Sequence, residues 1–207
     1  MSNRSIHTLL KNWDEECPLT REEAVEVLNL PEEEMDSLME CAYALRTKYK
    51  GKKVSVQLLT NVRSGNCTQN CAYCAQSKDS QAEIEKYKRV SDEKLYGDND
   101  LVDEKHLARH CIGLSGIGFS DEEIEDLADR IREMKKKDTQ ICCSIGFLTE
   151  KQARILKDAG LDRINHNLNS SRSFYPEICT THTYDQRVNN IKMLQIRDLQ
   201  WWNCWNG

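Results

Sequence analysis

The sequence predicts an α/β fold, a parallel sheet or β/α barrel preceded by a helical leader. Three observations carry this. Beyond residue 53, short apolar segments of strand length alternate with helical stretches across short loops. The helical stretches open on capping sequences, Ser120-Asp121-Glu122-Glu123 and Thr149-Glu150-Lys151-Gln152. Functional groups in such folds collect at the C-terminal ends of strands, and the end of the first strand runs directly into the closely spaced Cys67, Cys71 and Cys74.

The leader, residues 1–52, reads as two helices. Thr20-Arg21-Glu22-Glu23 is a capping box ahead of Ala24, Val25, Val27 and Leu28. Pro31 fits the first turn of a second helix, with Glu32, Glu33 and Glu34 suiting its positive end. Met35, Leu38, Met39, Ala42 and Leu45 recur at helical spacing, and Gly51 ends the run. Residues 53–195 form the α/β region. Residues 54–61 read as the first strand, followed by the cysteine loop. Residues 80–109 are highly charged and interrupted by Tyr96-Gly97-Asp98-Asn99-Asp100, which predicts a broken or poorly packed first helix. Strands follow at 111–115, 140–145 and 163–168. Between them lie a helix with the apolar face Ile124, Leu127, Ala128, Ile131 and Met134, and one running through Ala153, Ile155, Leu156 and Ala159 to Gly160.

The chain has 207 residues, 39% apolar and 30% charged, which suits one globular domain with a small leader. A net charge of −5 argues against nucleic acid or anionic membrane as partner. No apolar run reaches membrane-spanning length, and the first residues lack a signal-peptide stretch, so a cytoplasmic location is expected. In that setting the ten cysteines point to metal or catalytic thiols rather than a disulfide framework. Cys17, Cys41 and Cys179 read as isolated packing residues.

Cys67, Cys71 and Cys74 follow a C-x3-C-x2-C pattern with Tyr73 just before the last cysteine. Three thiolates can hold three irons of a four-iron cluster and leave the fourth open to a substrate or cofactor. The competing reading is zinc, with His166 or His182 completing the site. The triad and its aromatic resemble the radical S-adenosylmethionine enzymes. Residues 61–77, together with 159–169 (Ala-Gly-Leu-Asp-Arg-Ile-Asn-His-Asn-Leu-Asn) and 180–187 (Thr-Thr-His-Thr-Tyr-Asp-Gln-Arg), resemble the biotin synthase family within them.

That resemblance implies a TIM-type (β/α) barrel, here about its first four strand–helix units. It implies that an open iron chelates S-adenosylmethionine, that the reduced cluster cleaves it to methionine and a 5′-deoxyadenosyl radical, and that sulfur is then inserted into dethiobiotin to form biotin. It carries the 4Fe-4S cluster onto Cys67, Cys71 and Cys74, and two ligands of a second, 2Fe-2S cluster onto Cys111 and Cys142, with Cys143 the rival of Cys142. Tyr73 matches an aromatic near the adenine, Asn167 and Asn169 match contacts to substrate and ribose, and Arg187 matches the partner of the cofactor carboxylate. An electron donor such as flavodoxin or ferredoxin and a homodimer are also implied. Within enzymes the alternatives are the methylornithine synthase and hydrogenase-maturation types; outside them, a non-catalytic iron–sulfur or zinc-binding fragment.

The match stops near Gln195. The family continues into further strands that bring a third cysteine and an arginine to the two-iron cluster, whereas residues 196–207 hold three of the four tryptophans. Tryptophan has a single codon, TGG. Moving the frame forward one nucleotide forces a glycine from each of Trp201, Trp202 and Trp205. The shifted frame permits Phe-Glu-Ile-Cys-Ser-Gly-Gly-Ile-Val-Gly-Met-Gly, which resembles the family's fifth-strand motif, with the cysteine codon spanning Leu199 and Gln200. We therefore expect residues 196–207 to be an out-of-frame tail. A complete barrel of this kind needs about 250 residues and eight strands. We expect this chain to be poorly soluble and inactive, with an incomplete two-iron site.

Overall fold

The computed structural model describes residues 19–196 and 200–202. Trp13, Cys17 and most of the 196–207 tail lie outside these. The chain divides into two compact units, Met1–Val54 and Ser55–Gly207.

In the first unit, helix α1 (Arg21–Leu28) starts on the expected capping box: Thr20 Oγ1 accepts from Glu23 N, and Glu23 Oε2 accepts from Thr20 N. Pro31 leads into a 3-10 turn, Glu32–Glu34, which continues as α2 (Met35–Lys50). Gly51 closes α2 at φ +64°, a region open to glycine. Leu19, Val27, Leu30, Leu38 and Cys41 pack together in this unit, so Cys41 is a packing residue.

The second unit is a parallel sheet covered by helices. In chain order its elements are β1 (Gln57–Arg63), α3 (Asp92–Glu104), β2 (Arg109–Leu114), α4 (Asp121–Met134), β3 (Ile141–Ser144), α5 (Glu150–Asp158), β4 (Arg163–Asn165), the short α6 (Tyr175–Ile178), α7 (Tyr184–Ile196) and β5 (Gln200–Trp202). The strands lie side by side in sequence order, all parallel. This is the stepwise winding of a β/α barrel, and the sheet does not close. Capping boxes at Ser120 and Thr149 start α4 and α5 as the sequence predicts. Ile124, Leu127, Ala128, Ile131 and Met134 of α4 bury against Ile112, Ile141, Cys143 and Ile164 of the sheet. Each Ile, Leu or Met among these contributes about 1.5–3 kcal/mol when removed from water.

One expectation fails. Residues 80–109 contain no broken helix: α3 runs unbroken through Gly97 and buries Leu95, Asn99 and Val102 on one face. Its polar residues hold it in place. Asn99 Nδ2 donates to Met134 O at 3.1 Å, and its Oδ1 meets His110 Nδ1 at 3.2 Å. His110 Nε2 meets Thr60 Oγ1 at 2.7 Å, and Thr60 donates to Asp98 Oδ2 at 2.6 Å. The polar groups that read as an interruption are a satisfied network clasping α3 to β1 and β2.

Among the described residues, no helix is long and apolar enough to cross a membrane.

Candidate active site

Side chains alternate across a parallel sheet, so register rows define what lines each face. One row crosses the inner face as Leu59, Cys111, Cys142 and Arg163, and the backbone register pairs Arg163 with Gln200. Two residues further along the strands lies the row Asn61, Gly113, Ser144 and Asn165. This second row, nearer the C-terminal ends of the strands, floors a cleft of about 510 Å³. The walls come from the cysteine loop and from the segments after β3 and β4. Gly146 sits where a Cβ would meet Ile117 O at 2.5 Å, so only glycine lets the loops after β2 and β3 approach this closely.

The cysteine loop is tied at both ends. Gly65 N donates to Gln76 Oε1 at 2.8 Å, Lys78 N to Gln69 O at 2.9 Å, and Ser115 Oγ fastens Gly65 O at 2.6 Å. Asn70 clamps it to the turn before α7: its Oδ1 accepts from Thr180 N at 3.0 Å and Thr181 N at 3.3 Å, and its Nδ2 donates to Thr180 Oγ1 at 2.7 Å. Cys67, Cys71 and Cys74 thereby line one cleft with Tyr73, Asn167, Asn169 and Arg187.

Within that cleft the predicted cofactor contacts touch one another. Asn169 takes a left-handed backbone conformation, φ +66°, and donates from Nδ2 to Tyr73 Oη at 2.5 Å. Arg187 is held by Tyr175 Oη at 2.6 Å, Asn167 O at 3.1 Å and His182 Nε2 at 3.0 Å from its NH2. Burial first, then Arg187, lowers the His182 pKa to about 4. His166, buried and hydrogen-bonded to the Ile145 backbone, is lowered to about 4 for the same leading reason. Burial, with Cys179 beside it, pushes the Cys71 thiol up to about 11.

Cys111 and Cys142 are register partners two residues back from the cleft floor on the same face, and neither lines the cleft. Their thiols hydrogen-bond; that bond lowers the pKa of Cys111 and raises that of Cys142. Cys143 points the other way, fully buried in the core between sheet and helices.

The reading of Cys179 as an isolated residue needs correction. It is buried, but its Sγ lies 3.8 Å from Cys71 Sγ and 3.2 Å from His182 Nδ1. Sequence reasoning missed Cys179 because it meets Cys71 through contacts between distant segments, the Asn70 clamp and Ala72 N donating to Ile178 O at 2.9 Å. His182, already a candidate zinc ligand beside the triad, and Arg187 in the same stretch were its signals.

The donor set fits a four-iron cluster. Its ligands are thiols, the donors that hold such clusters. Among the described residues, the metal-ligand group gathered within 4.8 Å is Cys71, Cys179 and His182; the triad is more widely spread than a single ion draws together.

The Radical SAM superfamily model matches residues 61–201. The chain is 39% identical over 178 residues to the biotin synthase of Geobacillus kaustophilus and 40% identical over 176 residues to that of Bacillus subtilis strain 168. These matches cover 86% and 84% of this chain but 54% and 52% of the relatives, so the chain spans about half their length. Among solved structures, methylornithine synthase PylB superposes with a TM-score of 0.80 at 15% identity, covering 95% of this chain and 57% of that one. The hydrogenase maturase HydG of Carboxydothermus hydrogenoformans superposes at 0.79 and 20%, covering 96% and 46%. Those structures share the fold; the family model, spanning more than half the chain and including the cysteine loop, establishes that the protein belongs to the radical SAM superfamily.

Proposed function

We propose that this chain carries the S-adenosylmethionine-cleaving half of a biotin synthase, with dethiobiotin as the substrate of the whole enzyme. The observation that carries the reading is convergence: Cys67, Cys71, Cys74, Tyr73, Asn167, Asn169 and Arg187 all line one cleft at the C-terminal ends of the strands. In this reading the three thiols hold a 4Fe-4S cluster. When bound, the cluster supplies the electron that splits the sulfonium of S-adenosylmethionine into methionine and a 5′-deoxyadenosyl radical. The protein's part is placement. Arg187, fixed by Tyr175 and Asn167, offers a rigid guanidinium to the cofactor carboxylate. Tyr73, 54% exposed, offers a ring face to adenine, and Asn169 a side-chain amide to the ribose. Cys111 and Cys142 would hold two positions of a 2Fe-2S cluster, and the orientation of Cys143 into the core favours Cys142 over it.

In backbone register the row Leu59–Cys111–Cys142–Arg163 continues at Gln200, where the shifted reading frame places its cysteine codon. This supports residues 196–207 as an out-of-frame tail and a two-iron site that this polypeptide leaves incomplete. An external electron donor of the flavodoxin or ferredoxin type and a homodimer belong to the same proposal. Relatives near 40% identity favour this reading over the methylornithine synthase and maturase types, which are supported by fold alone.

Anaerobic reconstitution with iron and sulfide tests it. The reduced protein is expected to give a four-iron EPR signal that shifts on adding S-adenosylmethionine, with 5′-deoxyadenosine formed. A signal indifferent to the cofactor would leave only a structural cluster. Gene sequencing through the codons for 195–207 checks the tail: a shifted frame that does not read Cys-Ser-Gly-Gly removes that part.

A further inference from the structure

Cys179 has no part in the function proposed above, yet it is buried beside two other metal-ligating side chains. We propose that Cys71, Cys179 and His182 form a mononuclear site for a thiophilic divalent cation of the zinc type, filled when the cysteine triad carries no cluster. Two zinc–sulfur bonds of about 2.3 Å at the tetrahedral angle set their sulfurs about 3.8 Å apart. Cys71 Sγ and Cys179 Sγ lie at 3.8 Å. A zinc–nitrogen bond of about 2.0 Å at the same angle puts nitrogen about 3.5 Å from each sulfur. His182 faces Cys179 Sγ with Nδ1 at 3.2 Å and Nε2 at 3.8 Å, and all three residues are buried with their ligand atoms within 4.8 Å of one another.

Ligation through Nε2 turns the imidazole toward the two sulfurs, since Cys179 Sγ lies nearer Nδ1 and Arg187 NH2 donates to Nε2 at 3.0 Å. His182 Nδ1 lies 3.1 Å from Gln69 Oε1, so Nδ1–H can donate there, the outer bond that fixes a ligating imidazole. Arg187 gives up its contact with Nε2 but keeps Tyr175 Oη and Asn167 O as acceptors. Two thiols lose their protons as one dication enters, so the net charge of the site is unchanged and two protons are released. The fourth position is left to water. Because Cys71 belongs to both sets, this ion and the four-iron cluster exclude one another, and a thiophilic metal competes with cluster assembly at one sulfur.

Anaerobic titration of the full-length, cluster-free chain with Co²⁺ tests the site. The wild type is expected to bind one equivalent and to develop a thiolate-to-cobalt charge-transfer band with the intense visible bands of a tetrahedral ion. Cys179→Ala and His182→Ala should lose these bands, and Cys67→Ala should keep them. Cys179→Ser, which retains a hydroxyl for Asn70 and Thr181, repeats the test with less disturbance to the turn, and far-UV circular dichroism confirms the fold of each variant. Bands that persist without Cys179, or that vanish with Cys67, would assign the ion to the triad and overturn the proposal, as would a wild type with no bands. Iron–sulfide reconstitution is read separately, so failure here is distinct from failure of the cluster reading.

Discussion

Consecutive residues of β3 face two different environments. Cys143 is fully buried among Ile112, Ile124, Ile131 and Ile164, and burial raises its pKa. Cys142 turns to the inner face, bonds Cys111 across the register and neighbours Arg163. The outer face is closed by α3, α4 and α5; the inner face is open enough to leave Leu59, in the same row as Cys111, 68% exposed. One face is organised for stability; the other is only partly covered, with Cys142 buried, Cys111 half-buried and Leu59 exposed. The inner face of an unclosed sheet therefore contributes little to folding energy, and substitutions should separate the two faces cleanly.

The largest separation is expected from truncating one residue on each face. Ile112 on β2 is fully buried toward the helices, and Ile112→Ala should cost about 2–5 kcal/mol in denaturant unfolding. Leu59→Ala on β1 should cost no more than about 0.5 kcal/mol. Equal costs would show the inner face packed in solution, which a second copy of the chain or a closing partner would explain.

An intermediate effect is expected where a charge enters the outer face. Arg130 on α4 is 3% exposed and donates to Val90 O at 3.0 Å and to Asp92. Asp92, half exposed at the start of α3, is held below its ordinary carboxyl value of 3.8, first by its bond with Arg89 and also by Arg130. Its stabilisation is complete above that ordinary value and is lost as pH falls toward the depressed one. Asp92→Asn should cost about 1 kcal/mol at neutral pH, since Arg130 keeps Val90 O, and should flatten the acid limb of the stability curve. An unchanged acid limb would mean that Asp126, 3.8 Å from Arg130 Nε, neutralises it alone.

The same division explains what could be read in the sequence. Elements of the outer face announce themselves locally: the capping residues Ser120 and Thr149, and the periodic Ile124, Leu127, Ala128, Ile131 and Met134, specify α4 and α5 without knowledge of the rest. α3 was obscured because its contact residue Asn99 is polar, and only the positions of His110 and Met134 show that its hydrogen bonds are met. On the inner face the triad and its neighbours were legible through a motif, a short string in one loop. Cys179 had no such string. Its meeting with Cys71 depends on Asn70 bridging to Thr180 and Thr181, a contact between distant parts of the chain that local pattern does not encode. Orientation was also hidden: Cys142 and Cys143 are adjacent, and strand register decides which faces Cys111.

The smallest effect on stability should be the most informative about the open face. Tyr73 is half exposed, and its hydroxyl accepts from Asn169 Nδ2 at the cleft. Tyr73→Phe keeps the ring and removes only the hydroxyl, with its bonds to Asn169 and Cys71, so unfolding free energy should move by no more than about 0.5 kcal/mol. If Tyr73 and Asn169 are pre-set against each other for the nucleoside, the freed Asn169 must be ordered on binding. Losing one neutral hydrogen bond of about 1 kcal/mol corresponds to roughly a fivefold weaker Kd for S-adenosylmethionine in the reconstituted protein. Isothermal titration of wild type and variant reads this directly. A drop in stability comparable to Ile112→Ala would mean that the loop carrying the triad belongs to the folding core after all. The distinction between the two faces would then be one of chemistry alone and not of energy.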